Sequence, residues 1–243
     1  MNRLAFVSLI GLALFPASAS EAQSGFEADS FPVQGGSLRI TFIGHATLML
    51  EVKGFIVHVD PVGRYADYAA LPKGDLVLVT HEHSDHLDTA AVDKIRKKGT
   101  VIIANPSSAR SLPGAVALKN GDSRQVQGIT VFAVPAYNTT PERVKFHPPG
   151  RDNGYILELG DKRVYIAGDS EDTPEMKKLE RIDIAFLPMN LPYTMTPEQV
   201  AAAARAFRPK VLYPYHYGDT DASRLLTLLA GEKGIEVRIR KLQ

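Results

Sequence analysis

Leu76-Val77-Leu78-Val79-Thr80-His81-Glu82-His83-Ser84-Asp85-His86 runs a continuous apolar segment straight into three histidines and an aspartate. Only seven histidines occur in the chain, so this clustering is specific. The apolar run reads as a strand, Leu76–Thr80, covered on both faces. His81 and His83 are two apart and project to the same side of an extended chain. Asp85 and His86 follow in a turn where a chain reversal can aim them into the same space. Asp88 then reads as the N-cap of a helix over Thr89–Lys98. Imidazole nitrogens and a carboxylate oxygen suit Zn²⁺, Mn²⁺ or Fe²⁺ without any thiolate.

Working outward, Leu38–Ile43, Thr47–Val52 and Phe55–Val59 are β-rich and closely spaced, as in an antiparallel meander. The stretch before Ser37 is polar, and Val101–Ala104 is a further strand. The second half repeats the order. Ile129–Val134, Tyr155–Leu159 and Arg163–Ala167 read as strands, Thr173-Pro174 opens a short helix, and Ile184–Leu187 is another buried strand. Thr196-Pro197-Glu198-Gln199 combines an N-cap, a proline at the first helical position and a capping-box Gln, which predicts a helix to Phe207. Val211–Pro214 returns to strand and Ala222–Leu229 to helix. Two such halves predict two sheets face to face with helices outside. Pro135–Asn153 is the one long irregular stretch, the kind that carries function inside a compact domain.

Composition narrows the chemistry. The 243 residues carry 28 Lys+Arg against 27 Asp+Glu and 44% hydrophobic residues, as in a globular protein without a broad basic face for nucleic acid. The absence of cysteine excludes disulfides, thiolate nucleophiles and every Cys-containing metal site. Arg3, the apolar run Leu4–Phe15 and the small residues Ala17-Ser18-Ala19 read as a secretory signal peptide ending near residue 22. No later apolar run is long enough for a membrane span. Residues 23–243 are therefore expected as one exported domain, periplasmic or secreted.

The His-x-His-x-Asp-His motif after a buried strand resembles the signature of the metallo-β-lactamase-fold hydrolases. Gly44-His45-Ala46-Thr47 followed by Val59-Asp60-Pro61 resembles the branch containing L-ascorbate-6-phosphate lactonase and N-acyl phosphatidylethanolamine phospholipase D. Ala167-Gly168-Asp169-Ser170 and Pro214-Tyr215-His216 resemble the family's later ligand positions. The resemblance implies an αββα four-layer sandwich of two mixed sheets with the site at one edge. It implies that His81 and His83 hold a first divalent metal, that Asp85, His86 and His216 hold a second, and that Asp169 bridges them. Zinc is the expected metal, with manganese or iron as alternatives. Such a pair, about 3.5–4 Å apart, generates a hydroxide nucleophile near neutral pH, which Asp85 would orient.

One position departs from the pattern. The family supplies a third histidine to the first metal where this chain has Asn138, and His147 is the available substitute. His45 and Asp60 are expected behind the ligands or facing substrate, and Tyr193 as a hydrogen-bond donor to a developing oxyanion. The implied activity is attack of a metal-bound hydroxide on an ester, lactone, amide or phosphodiester of a small molecule. The alternative is a metal- or ligand-binding module with an incomplete first site and little turnover.

Overall fold

The computed structural model describes residues 25–242, so the expected leader lies outside the described residues. Two seven-stranded mixed sheets pack face to face. The first takes its strands in chain order: β1 (Ala28–Val33), β2 (Gly36–Gly44), β3 (Thr47–Val52), β4 (Phe55–Val59), β5 (Leu76–Val79), β6 (Val101–Ala104) and β7 (Val116–Ala117). The second does the same with β8 (Ser123–Val126), β9 (Ile129–Ala136), β10 (Asp152–Leu159), β11 (Lys162–Ile166), β12 (Ile184–Pro188), β13 (Val211–Tyr215) and β14 (Glu236–Val237). In each sheet the first four strands pair antiparallel and the last three add in parallel. This is the two-mixed-sheet sandwich expected from the sequence.

Local chemistry explains the turns. Lys53 and Gly54 join β3 to β4 with φ of 51° and 78°, the paired left-handed conformations that a tight two-residue hairpin needs. The alternating side chains of β5 serve two cores. Leu76 and Leu78 belong to the central cluster between the sheets, whereas Val77 and Val79 join Ala91, Val92 and Ile95 of α1 (Thr89–Ile95) on the outer face. Each fully buried aliphatic side chain contributes about 1.5–3 kcal/mol, so the ligand-bearing turn leaves a strand anchored from both sides. Short α2 (Pro106–Ala109) follows β6. On the second sheet, α3 (Pro197–Phe207) carries the expected capping box and packs Val200, Ala204 and Phe207 into the central cluster. The last helix is α4 (Arg224–Leu228).

Several boundaries differ from the sequence reading, each for a tertiary reason. The polar stretch before Ser37 contains β1, whose Phe31 and Val33 are buried while Arg240 holds Asp29 at 2.8 Å from far along the chain. The helix expected to reach Lys98 stops at Ile95, whose carbonyl accepts from Gly74 and so leaves the helical ladder. Thr173-Pro174 leads only to a 3₁₀ turn at Met176–Lys178, with the Thr173 hydroxyl accepting from the Met176 amide. The final helix is shorter at both ends than Ala222–Leu229. The irregular stretch is shorter too. Pro135 and Ala136 pair with Asn153 and Asp152, so the β9–β10 ladder continues and the loop proper is 137–151.

Candidate metal centre

The site forms where strands of both sheets end at one edge of the sandwich. Asp60 follows β4, the His81–His86 segment follows β5, Asp169 follows β11 and His216 follows β13. His45 sits in the β2–β3 turn, and His147 comes from the 137–151 loop. The two sheets are tied beside it: Asn153 donates its amide to the Thr80 carbonyl at 3.1 Å, and the Tyr155 hydroxyl donates to the Val79 carbonyl at 2.9 Å. Gly168 has φ of 65°, and a Cβ there would stand 2.7 Å from the Asn153 carbonyl oxygen. A side chain at that position would collide with the neighbouring strand of its own sheet and crowd Thr80 of the other sheet at 3.2 Å, next to Asp169.

Three non-glycine residues here also adopt left-handed backbone: His45 at 54°, Asp60 at 44° and His216 at 46°. Such strain costs about 1–3 kcal/mol per residue and persists only where surroundings over-determine it. Here the His45 amide donates to the Leu242 carbonyl at 2.5 Å, and the His45 carbonyl accepts from the His216 amide at 3.0 Å.

Two donor clusters share this edge. Ligand nitrogens of His81, His83 and His147 lie within 4.8 Å of one another, as do atoms of His45, Asp85, His86 and His216. Asp169 lies between them. Its Oδ2 is 3.4 Å from His147 Nε2, 4.0 Å from His81 Nε2 and 3.2 Å from His216 Nε2, while its Oδ1 is 3.4 Å from His86 Nε2. Asp85 Oδ2 stands 3.2 Å from His45 Nε2, 3.5 Å from His216 Nε2 and 3.9 Å from His86 Nε2. Buried polar atoms normally find a hydrogen-bond partner. Yet His86 Nε2, His216 Nε2 and Asp169 Oδ1 are buried with none, and all three face the shared space. Orphaned imidazole nitrogens and a carboxylate oxygen, with no sulfur, form a donor set that fits divalent cations.

The opposite ring nitrogens of His86, His147 and His81 are committed elsewhere, whereas His216 Nδ1 is also buried without a partner. His86 Nδ1 donates to Asp60 at 2.8 Å, and Asp60 also accepts the Thr80 amide at 2.8 Å and hydroxyl at 2.7 Å. His147 Nδ1 donates to Asp152 at 3.0 Å, and Arg151 clamps that carboxylate through both Nε (2.7 Å) and a terminal nitrogen (2.8 Å). His81 Nδ1 pairs with the Thr80 hydroxyl at 3.0 Å. Such partners fix the ring orientation and leave Nε2 free to ligate. His58 is outside the site; its Nε2 donates to the Pro72 carbonyl, and burial lowers its pKa to about 4.

His147 closes the triangle with His81 and His83, and Asn138 does not. The Asn138 side-chain amide donates to the Tyr193 and Arg143 carbonyls at 2.7 and 3.1 Å, while its backbone amide donates to the His147 carbonyl at 2.8 Å. It braces the loop that carries His147. That loop is held further by Glu171, fully buried, which accepts from the amides and hydroxyls of Thr139 and Thr140 and from Arg143 at 2.6–3.0 Å.

Charge within the cluster is polarised. Burial opposes ionisation of Asp169, but the facing His216, His86 and His81 outweigh it and hold the carboxyl well below its usual range. Asp85 is likewise held down against burial by His216 and His45. Burial, with the charge of His86, lowers His81 well below 6.5, and burial with His147 lowers His83. His86 goes the other way. Asp169 and Asp60 overcome its burial and raise it well above 6.5.

The clusters open to a cavity of about 370 Å³ lined by Arg64, His83, Asp85, Phe146, Asn190 and Tyr193 among others. Tyr193 is 44% exposed, and its ring meets Phe146 edge-on at 5.0 Å. Asp152, Arg151, Glu171 and Arg64 are site residues that the sequence reading passed over. An acid five residues after His147 was the only local hint of Asp152.

Comparison with known proteins agrees with this geometry. Residues 39–216 match a family described as a beta-lactamase superfamily domain. The chain belongs to that superfamily, in its metal-dependent, metallo-β-lactamase form. It is 31% identical over 194 residues to a UPF0173 metal-dependent hydrolase of Methanopyrus kandleri, covering 74% of this chain and 84% of that one. A relative of the same description from Thermus thermophilus is 30% identical over 224 residues, covering 82% and 94%. A solved structure from Parabacteroides distasonis, described as a putative metal-dependent hydrolase, superposes with a TM-score of 0.87 at 55% identity, covering 90% of this chain and all of that one. This chain is a metal-dependent hydrolase of the metallo-β-lactamase fold.

Proposed function

We propose that residues 23–243 form an exported hydrolase whose first divalent metal is held by His81, His83 and His147 and whose second is held by Asp85, His86 and His216, with Asp169 shared. One observation carries this reading: both sides of the buried Asp169 carboxylate face imidazole nitrogens from the two clusters, and its Oδ1 has no hydrogen-bond partner. When bound, such ions supply Lewis acidity toward a carbonyl or phosphoryl oxygen and lower the pKa of water, zinc being the favoured metal for this donor set.

The remaining chemistry belongs to side chains of the chain. Asp85, ionised and partly exposed, faces the cleft, where it accepts a hydrogen bond from the attacking water and orients it. His45 holds that carboxylate from behind at 3.2 Å. Tyr193 and Asn190, which line the same cavity, would donate to the oxygen on which negative charge develops. The bond cleaved is an ester, lactone, amide or phosphodiester of a small molecule. Export is supported by Arg3, the Leu4–Phe15 run and the small residues after it.

Elemental analysis of the mature protein and of His147→Ala tests the metal assignment. Two metals per chain falling to about one in the variant is the expected result. One metal unchanged by the substitution would overturn the dinuclear reading. A hydrolysis screen of metal-loaded protein with nitrocefin, aryl phosphodiesters, aryl esters and lactones tests the activity, and turnover of one class is expected. Failure on all would favour a binding module.

A further inference from the structure

Arg64 stands at the cleft mouth without a counter-ion. It occupies the turn Val62-Gly63-Arg64-Tyr65, closed by the Tyr65 amide donating to the Val62 carbonyl at 3.1 Å. The Gly63 amide donates to Asp88 at 2.9 Å, which ties the turn to the cap of α1. The guanidinium is exposed, lies 5.0 Å over the Tyr65 ring and lines the same cavity as Asp85 and His216. Tyr65 in turn stacks on His45 at 5.8 Å, and His45 lies 3.8 Å from the His216 ring. Rigid aromatic layers therefore connect this cation to the metal-facing histidines. Among the described residues Arg64 forms no ion pair with a carboxylate. The same cavity is lined by aromatic side chains, with Phe146 against Tyr193, and a second cation, Lys145, stands 5.0 Å from the Phe146 ring. The two carboxylates lining the cavity, Asp85 and Asp169, point at histidines.

We infer that the substrate of this hydrolase is an organic anion with a carboxylate or phosphate group that docks on Arg64 and an apolar body that lies on Phe146 and Tyr193. The inference rests on the hydrolase reading for its chemistry but not for its recognition. A guanidinium pairs with both oxygens of a carboxylate or phosphate, a geometry that an ammonium cannot match. Holding the anion at the rim would also orient the scissile bond toward the deeper cluster.

Calorimetric titration of the metal-loaded protein with three non-hydrolysable probes of one shape tests this: 4-methoxybenzoate, (4-methoxyphenyl)phosphonate and neutral 4-methoxyacetophenone. At least one anion is expected to bind about tenfold or more tightly than the ketone. That advantage should collapse in Arg64→Ala, return partly in Arg64→Lys, and shrink at high salt. Whichever anion shows the larger Arg64-dependent advantage identifies the group recognised. An anion preference that Arg64→Ala leaves unchanged would place the anion on the deeper site and overturn the inference, as would the lack of any preference. Arg64-dependent binding with no turnover in the hydrolysis screen would sink the hydrolase reading and leave the anchor standing. Turnover of an anionic substrate that Arg64→Ala leaves unchanged would do the reverse.

Discussion

Asp60 and Asp169 occupy corresponding places in the two halves. Each follows the last antiparallel strand of its sheet, where pairing turns parallel, and each is buried. In both halves the backbone just past that strand donates to the neighbouring parallel strand, Asp60 to Leu78 and Ala167 to Phe186. Their side chains differ in saturation. Asp60 spends both oxygens on Thr80 and His86 within 2.8 Å. Asp169 accepts little and faces four imidazole nitrogens at 3.2–4.0 Å. Nearby positions at the same strand end, Asp60 directly after β4 and Asp169 two residues beyond its backbone counterpart Ala167, thus yield a brace in one sheet and an open metal-facing carboxylate in the other. Whether the oxygens are already satisfied, rather than burial, separates the two roles.

Substitutions can break or sharpen this contrast. The largest effect is expected from Asp169→Asn, which should abolish turnover and strip most metal from the chain, measured by elemental analysis. Asp60→Asn should instead keep most of its metal, weakening the second ion by only about 10–100-fold through His86, while destabilising the fold by about 1–3 kcal/mol because it leaves buried donors without their acceptor. Equal metal loss in both variants would erase the distinction. Asp85→Asn comes next: turnover should fall by roughly 10²–10⁴-fold, as for loss of a positioned proton acceptor, with melting temperature little changed since the side chain is 32% exposed. Asp152→Asn should weaken the first metal alone by about 10–100-fold in a chelator competition, since it acts through His147.

The smallest effect concerns pH. His86 in the metal-free protein holds its proton above the ordinary imidazole range, so binding at Nε2 must displace that proton. Metal affinity should therefore rise with pH through neutrality, by at most about tenfold per pH unit for one proton. The metal-free fold behaves oppositely. A raised folded-state pKa contributes stability that is complete below 6.5 and is lost as pH rises through the folded value. Chelator competition and thermal melts at pH 6 and 8 check both signs. Affinity independent of pH would remove His86 from the ligands.

Much of the fold was legible because it is written in local patterns. Alternation and apolar runs located β2 to β6 and β9 to β13, and the Thr196–Gln199 box located α3. The paired edge elements β1, β7, β8 and β14 were not legible, since short strands acquire their identity from a neighbour already in place. The site divides in the same way. His81, His83, Asp85 and His86 declare themselves by spacing within one turn. Asp152, Arg151 and Glu171 are ordinary charged residues until the fold sets them behind His147 and its loop.

By itself the sequence determined the types of donor available, the absence of sulfur ligands and the strand ends that could carry histidine and aspartate, because these depend on residue identity and short-range backbone geometry. Tertiary structure decided that His147 rather than Asn138 joins His81 and His83, and that Asp169 faces donors while Asp60 braces them. Those choices turn on which polar atoms are already satisfied. Satisfaction of a buried group is fixed by partners far away in the chain, and only the folded packing brings them within reach.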